Sequence, residues 1–370
     1  MSSSMKRLLP LLVAGLFFLG GCWDVEEVEK KSLITAIGID AAPDNRLMLT
    51  LHLPKPGAIG PTGNEPGPQK PFYTISTIAG TTLEACTNLE VKTPDTLDTA
   101  QTKVIIFGRI VAQKGLAAHL DCFGRFPKIN PQALLALADT DAASLLKADV
   151  SQDILPGLYI MDYFTKNSKK GACYPITLWQ FLQKMDSPMV DPYLPIISFD
   201  RNEQTFIIAG IAAFFHDRLV LTLSPEETKI FGLLSGGMEN AAFIFPLSKN
   251  QKVGFHFTKS KVKYTWEQPN IIRIKVKTEG YFLEDTGNIK PITDKIISRY
   301  EKMIAKNLEQ QAKDLLSKLQ QKNTDLLGLG KTVRAKTYGK WSEAWWRGKY
   351  PQLKIKVQFE FEMSRSGRMA

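Results

Sequence analysis

The chain has 370 residues, 44% of them hydrophobic and 23% charged, with a net charge of +10. That composition is globular, excludes a wholly disordered chain, and is long enough for two or three domains. The basic excess forms no dense block, the four cysteines have no Cys-x-x-Cys spacing and only four histidines are present, which argues against a nucleic-acid arm, a zinc ribbon and a thioredoxin-type site.

The N-terminus carries Lys6 and Arg7 and then an uncharged run, LLPLLVAGLFFL, over 8–19. A basic start and about a dozen apolar residues make a secretory signal, too short to span a bilayer, which takes about 20. Leu19-Gly20-Gly21-Cys22 follows directly and has the form of a bacterial lipobox. The small residues let the peptidase approach the backbone, and the thiol takes the lipid. We therefore expect a signal peptide over 1–21 and lipid attachment at Cys22. The longest later apolar run, FIIAGIAAFF over 206–215, is far below spanning length. The expected location is the outer face of the cell membrane, held by acyl chains. Cys86, Cys122 and Cys173 remain outside; they read as buried apolar residues or as one pair and one free thiol.

Residues 32–40 and 46–53 read as two strands joined by the turn Ala42-Pro43-Asp44-Asn45. Six prolines and four glycines within 54–71 exclude regular structure and predict a long surface loop. Strand patterns resume over 72–79 and 101–107, and helical spacing of Leu116, Leu120 and Phe123 predicts a helix over 111–123. Residues 132–138 fit a strand or a short helix. A domain edge is expected near residue 200. A hairpin around His216-Asp217 follows, and Ser224-Pro225-Glu226-Glu227 has the capping-box pattern that opens a helix. Residues 253–264 and 271–282 read as long strands. One apolar stripe at three- and four-residue spacing predicts a helix over 294–323, laid on its own sheet. Over 353–363, LKIKVQFEFEM alternates strictly and predicts an antiparallel strand with one buried face.

Signals for catalysis fall short of a site. Gly328-Leu329-Gly330-Lys331-Thr332 resembles the end of a P-loop, but Asp325 stands where the first glycine belongs and a helix, not a strand, precedes it. We read the glycines as a stop for the long helix and expect no nucleotide to bind. His52, His119, His216 and His256 lie in separate segments without metal-ligand spacing, and no Gly-x-Ser-x-Gly elbow exists. No cofactor, metal or nucleic acid is expected. Two surface features stay open. Residues 249–280 carry eight basic and two acidic residues, either a solvated strand face or a contact with an anionic surface. Trp341, Trp345 and Trp346, with Tyr338 and Tyr350 among Lys340, Arg347 and Lys349, form either a candidate partner-contact patch or core packing.

Four stretches in register resemble one family. Gly21-Cys22-Trp23-Asp24 with Glu26-Glu27 and Ala36-Ile37-Gly38-Ile39-Asp40 opens the series. Residues 101–125 fit next, then Gly210-Ile211-Ala212-Ala213-Phe214-Phe215 with Glu227-Thr228. Asp325-Leu326-Leu327-Gly328-Leu329-Gly330 and the three tryptophans close it. Together they are similar to the Ger(x)C family, the C subunits of bacterial spore germinant receptors. The resemblance implies a non-enzymatic palmitoylated lipoprotein working with two membrane-embedded subunits, of A and B type, in nutrient-triggered germination. It implies a mixed α/β (α+β) fold of three domains, with mostly antiparallel or mixed sheets, packed helices and one long C-terminal amphipathic helix. The expected division is 1–21 signal peptide, 22–55 plus about 175–200 as a discontinuous N-terminal domain, 56–174 as a middle domain and 201–370 as a C-terminal domain. The rival class, a solute- or wall-binding lipoprotein, would need two similar doubly wound lobes, and no repeated βα half is visible. No parallel βαβ series is expected after residue 250.

Overall fold

The structure, a computed structural model, describes residues 31–55, 71–148, 155–168, 170–248, 251–287, 293–337 and 339–364. The signal segment, Cys22, most of the 54–71 loop, Lys249 and Tyr338 lie outside these residues.

Nine strands form the larger sheet: β2 (Ala36–Ala41), β3 (Leu47–Pro54), β4 (Phe72–Ala79), β6 (Val104–Phe107), β7 (Leu134–Ala138), β8 (Ile176–Thr177), β9 (Tyr193–Asp200), β10 (Thr205–Phe215) and β11 (Arg218–Leu223). Their order is β11-β10-β9-β7-β6-β2-β3-β4, with β8 pairing β7 off the path. The central strands β2, β6, β7 and β9 run parallel, and the flanking ones are antiparallel. A small parallel pair, β1 (Lys31–Leu33) with β5 (Thr96–Asp98), lies apart.

Side chains alternate across this sheet, and both faces are covered. Ile37, Ile105, Phe107, Leu135 and Leu137 face one core, with Leu89, Leu120 and Phe181. Those come from helices α1 (Thr82–Glu90), α3 (Ala117–Arg125) and α6 (Leu178–Met185). Ala36, Val104, Ile106, Ala136 and Ala138 face the other, under Leu145, Leu146, Ile160 and Phe164 of α4 (Ala142–Lys147) and α5 (Pro156–Ser168). Covering on both sides is why β6 and β7 read as continuous apolar runs.

The predicted hairpin over residues 32–53 forms as β2 and β3 around a turn with Asp44 and Asn45 at positive φ. Residues 132–138 resolve to strand. The helix expected over 111–123 is instead two, α2 (Arg109–Lys114) and α3. Gly115 breaks it at φ +124, and an added Cβ there would meet the Asp217 carboxylate at 2.5 Å. That carboxylate accepts the Ala117 N–H at 3.1 Å, so the β10–β11 turn supplies the second helix's start. Residues 201–204, where a domain edge is expected, are the turn between β9 and β10, both in the large sheet.

The second sheet has four strands in sequence order: β12 (Ala241–Ser248), β13 (Gln251–Glu267), β14 (Ile271–Asp285) and β15 (Lys354–Met363). Helix α7 (Pro225–Ser235) precedes it and carries the expected capping box: Ser224 Oγ accepts the Glu227 N–H while Glu227 Oε2 accepts the Ser224 N–H. The long helix α8 (Asp294–Gln321) lies across one sheet face. Its buried stripe is Tyr300, Ile304, Leu308, Ala312, Leu315, Leu316 and Leu319. It packs on Phe255, Phe257, Ile272, Ile274, Val276, Val357, Phe359 and Phe361. Ile211 and Ala213 of β10 join this core, so the large sheet's edge is also its wall.

Two expectations are corrected here. The last strand pairs β14 in parallel, not antiparallel. Helix α8 carries the chain back along the sheet, so β14–α8–β15 is a single parallel crossover after residue 250. The alternation reports a one-sided strand and is blind to the direction of its neighbour. Nor do Gly328 and Gly330 stop the long helix. It ends at Gln321, and Asn323 takes the left-handed conformation at φ 50. Gly328 stands just before a new helix, α9 (Leu329–Thr337).

Candidate functional site

The residues that carry the family resemblance converge on two helix starts and one seam. Asp40 is buried at the end of the Ala36–Asp40 stretch. Its carboxylate accepts the N–H groups of Ala142 at 2.8 Å and Ala143 at 2.9 Å, at the start of α4. Burial pushes its pKa up, opposed by those two bonds. Asp325 does the same for α9, accepting from Leu329 at 3.0 Å and Gly330 at 2.8 Å. Full burial raises its pKa to about 7, opposed by the two N–H bonds.

Asp325 also ties α9 to the large sheet. Its backbone N–H donates to Asp191 Oδ2 at 2.6 Å, and the Asp191 N–H donates to the Asp325 carbonyl at 2.9 Å. Asp191 lies just before β9, and its carboxylate receives Arg347 in a two-pronged pair at 2.7 and 2.8 Å. The Asp191 side chain is 1% exposed and that of Arg347 11%. Arg347 belongs to α10 (Glu343–Lys349); its guanidinium lies 4.7 Å from the Phe215 ring centroid. Thr324 Oγ1 donates to the Phe214 carbonyl at 2.7 Å, and Tyr350 donates to the Thr324 carbonyl at 3.1 Å. Glu343 meets Arg347 and His216, each at 3.4 Å. Three separate motifs thus meet in one network joining the two halves. Asp191 and Arg347 are paired and the Asp325 carboxyl accepts two N–H bonds, the condition under which buried polar groups hold their geometry.

The three tryptophans divide. Trp346 is 0% exposed, packed near Tyr350 with ring centroids 5.4 Å apart. Gly330 makes room for it, since a Cβ there would stand 2.9 Å from the indole nitrogen. Trp346 is therefore core and drops out of the contact patch. Trp341 and Trp345 are half-buried on that core's edge. Arg334 lies 5.5 Å from the Trp341 ring centroid and Lys349 5.1 Å from that of Trp345. The surface patch is these two indoles and their cations.

The other candidates have local partners. His52 is buried against Thr35 at 2.6 Å and His119 meets Thr82 at 2.8 Å. His256 stacks on Tyr281 with centroids 5.0 Å apart. Cys86, Cys122 and Cys173 are free thiols, and burial pushes Cys86 up to about 12. At Gly328–Thr332 the reason given for excluding phosphate changes. The segment opens a helix rather than closing one, and the Asp325 carboxylate already occupies its N–H groups. The described part of the basic stretch, 251–280, lies on β13, β14 and the turn between them, where Lys275 and Lys277 pair with Glu360 of β15. Sequence reasoning gave Asp191 no role and read Arg347 only as a neighbour of tryptophans. No local pattern links two residues 156 positions apart.

Fold and seam define a two-sheet α+β protein whose marked residues hold its halves together. The chain belongs to the spore germination family: residues 24–199 match "Spore germination protein N-terminal domain" and residues 209–367 match "Spore germination B3/ GerAC like, C-terminal". It is 27% identical to spore germination protein GerQC of Bacillus cereus, across 98% of this chain and 99% of that one. It is 24% identical to spore germination protein B3 of Bacillus subtilis (strain 168), across 94% of each. The crystal structure of the GerBC protein aligns at a TM-score of 0.52 and 18% identity, over 91% of this chain and 99% of that one. That likeness supports the same mixed α+β fold.

Proposed function

We propose that this protein is the lipid-anchored C subunit of a nutrient germinant receptor, coupling two membrane-embedded subunits of A and B type to germination and performing no chemistry of its own. The observation that carries this reading is the match of both family descriptions, in order, along nearly the whole chain. Cys22 at the lipobox would supply the anchor on the outer face of the membrane, and among the described residues no helix is long and apolar enough to cross one. The exposed parts of Trp341 and Trp345, flanked by Arg334 and Lys349, would meet a partner subunit. The unlike sheets, nine strands against four, argue against the paired lobes of a solute-binding protein.

Deleting the gene tests the reading. Spores should lose their response to one set of nutrients and keep it to chemical triggers that bypass receptors. Normal germination on every nutrient, in a strain with no redundant receptor, would refute it. Cys22→Ala should release the folded chain from the membrane fraction, and Trp345→Ala should lower co-purification of the membrane partners while leaving the fold intact.

A further inference from the structure

A cleft of about 340 Å³ opens beside the seam. Helix α6 and the segment after it supply Gln180, Gln183, Lys184, Ser187 and Tyr193; α9 supplies Lys331. Its wall therefore comes from both halves of the chain. Every polar side chain that lines it carries a proton it can donate. Gln180 spends its carbonyl oxygen on the Thr177 N–H, leaving the amide NH2. Ser187 Oγ accepts the Met189 N–H and keeps its hydroxyl proton. Lys184 lies 5.6 Å from the Tyr193 ring centroid. Neither Lys184 nor Lys331 has an ion-pair partner among the described residues, and no carboxylate lines the cleft.

Two ammonium groups converging on a cleft of donors repel each other, and the fold tolerates this only at a cost. Burial and the neighbouring Lys331 hold the Lys184 pKa below its ordinary value, opposed by the Asp325 and Asp191 carboxylates of the seam. The contrast with the seam alongside is plain: Arg347 is ion-paired with its carboxylate, whereas neither lysine makes a direct ion pair among the described residues. A lining of donors with two ammonium groups suits an anion.

We propose that this cleft binds a small oxyanion carrying two negative charges, held between Lys184 and Lys331 and bridging the two halves of the chain. The binding stands independently of the receptor assignment. Lysine suits the task as a compact charge with three donors, and the amides of Gln180 and Gln183 would take the remaining oxygens. A bridging ligand binds the folded chain only, so it stabilises the joint.

The test is thermal unfolding of the purified full chain in inorganic phosphate, with malonate in a second arm and chloride at matched ionic strength as the control. At tenfold saturation, phosphate or malonate should raise the melting temperature by about 2–4 °C. Lys331→Gln, at an exposed position that leaves the fold intact, should abolish that rise. Without anion it should melt no lower than the native chain, because a like charge has been removed. Lys184→Met should lose the same rise. A response to phosphate alone assigns a phosphate-like ligand, and a response to malonate alone a dicarboxylate; either supports the site. No rise with either anion, or an equal rise in Lys331→Gln, overturns it.

Discussion

The two sheets solve the same problem in opposite ways. The large sheet is covered by helices on both faces, so Val104, Ile105, Ile106 and Phe107 are all buried in succession. The four-stranded sheet is covered on one face only, and β12 alternates buried and exposed residues along most of its length. In the first, a strand's side chains are all committed to packing. In the second, half of them are left to solvent, pairing and contact with other molecules. The seam at Asp191 and Arg347 joins a closed structure to a half-open one.

The joint itself should be the most sensitive point. Arg347→Met leaves the Asp191 carboxylate buried without its partner and should cost about 3–5 kcal/mol in urea unfolding. A loss under about 1 kcal/mol would mean that the halves are held by packing alone. Within the sheets, Phe107→Ala should cost about 3–5 kcal/mol. Ile244→Ala, at a residue 65% exposed on the open face, should stay within about 0.5 kcal/mol. A large cost at Ile244 would show that something covers that face and would erase the contrast.

A pH series tests the seam more finely. Asp325 titrates at about 7 in the fold, against an ordinary value of 3.8. Between those values the folded chain holds a proton that the unfolded chain has lost. The stabilisation is complete below about 4 and is lost as pH rises towards 7. Asp325→Asn should flatten this fall in melting temperature; an unchanged slope would remove Asp325 as its source. The smallest effect belongs to the open face. Glu360→Gln breaks the pairs to Lys275 and Lys277, all part-exposed, and should barely move the urea midpoint, with the difference vanishing in high salt.

Where burial was one-sided or strictly local, the sequence was readable. Ser224 and Glu227 announce α7 because both capping bonds lie within four residues. The stripe from Tyr300 to Leu319 announces α8 because a single face is buried. Helix α4 gave no such sign: Ala142, Ala143, Leu145 and Leu146 are all buried, so no period stands out. Its buried acceptor, Asp40, lies 102 residues away. The site was hidden for the same reason. Trp346 could be read as contact patch or as core until the slot that Gly330 leaves for its ring decided for the core. Lys184 and Lys331 become neighbours only through the fold.

The parallel crossover that ends the chain sets an order of events in biosynthesis. Strand β15 closes the four-stranded core with Val357, Phe359 and Phe361, and it is made after every other strand of that sheet. Until those residues are made, one flank of β14 lacks its partner strand and the stripe of α8 lacks part of its cover. The C-terminal half therefore completes only once β15 is present, and a chain truncated before Lys354 would present an unpaired strand edge and a partly uncovered apolar helix stripe.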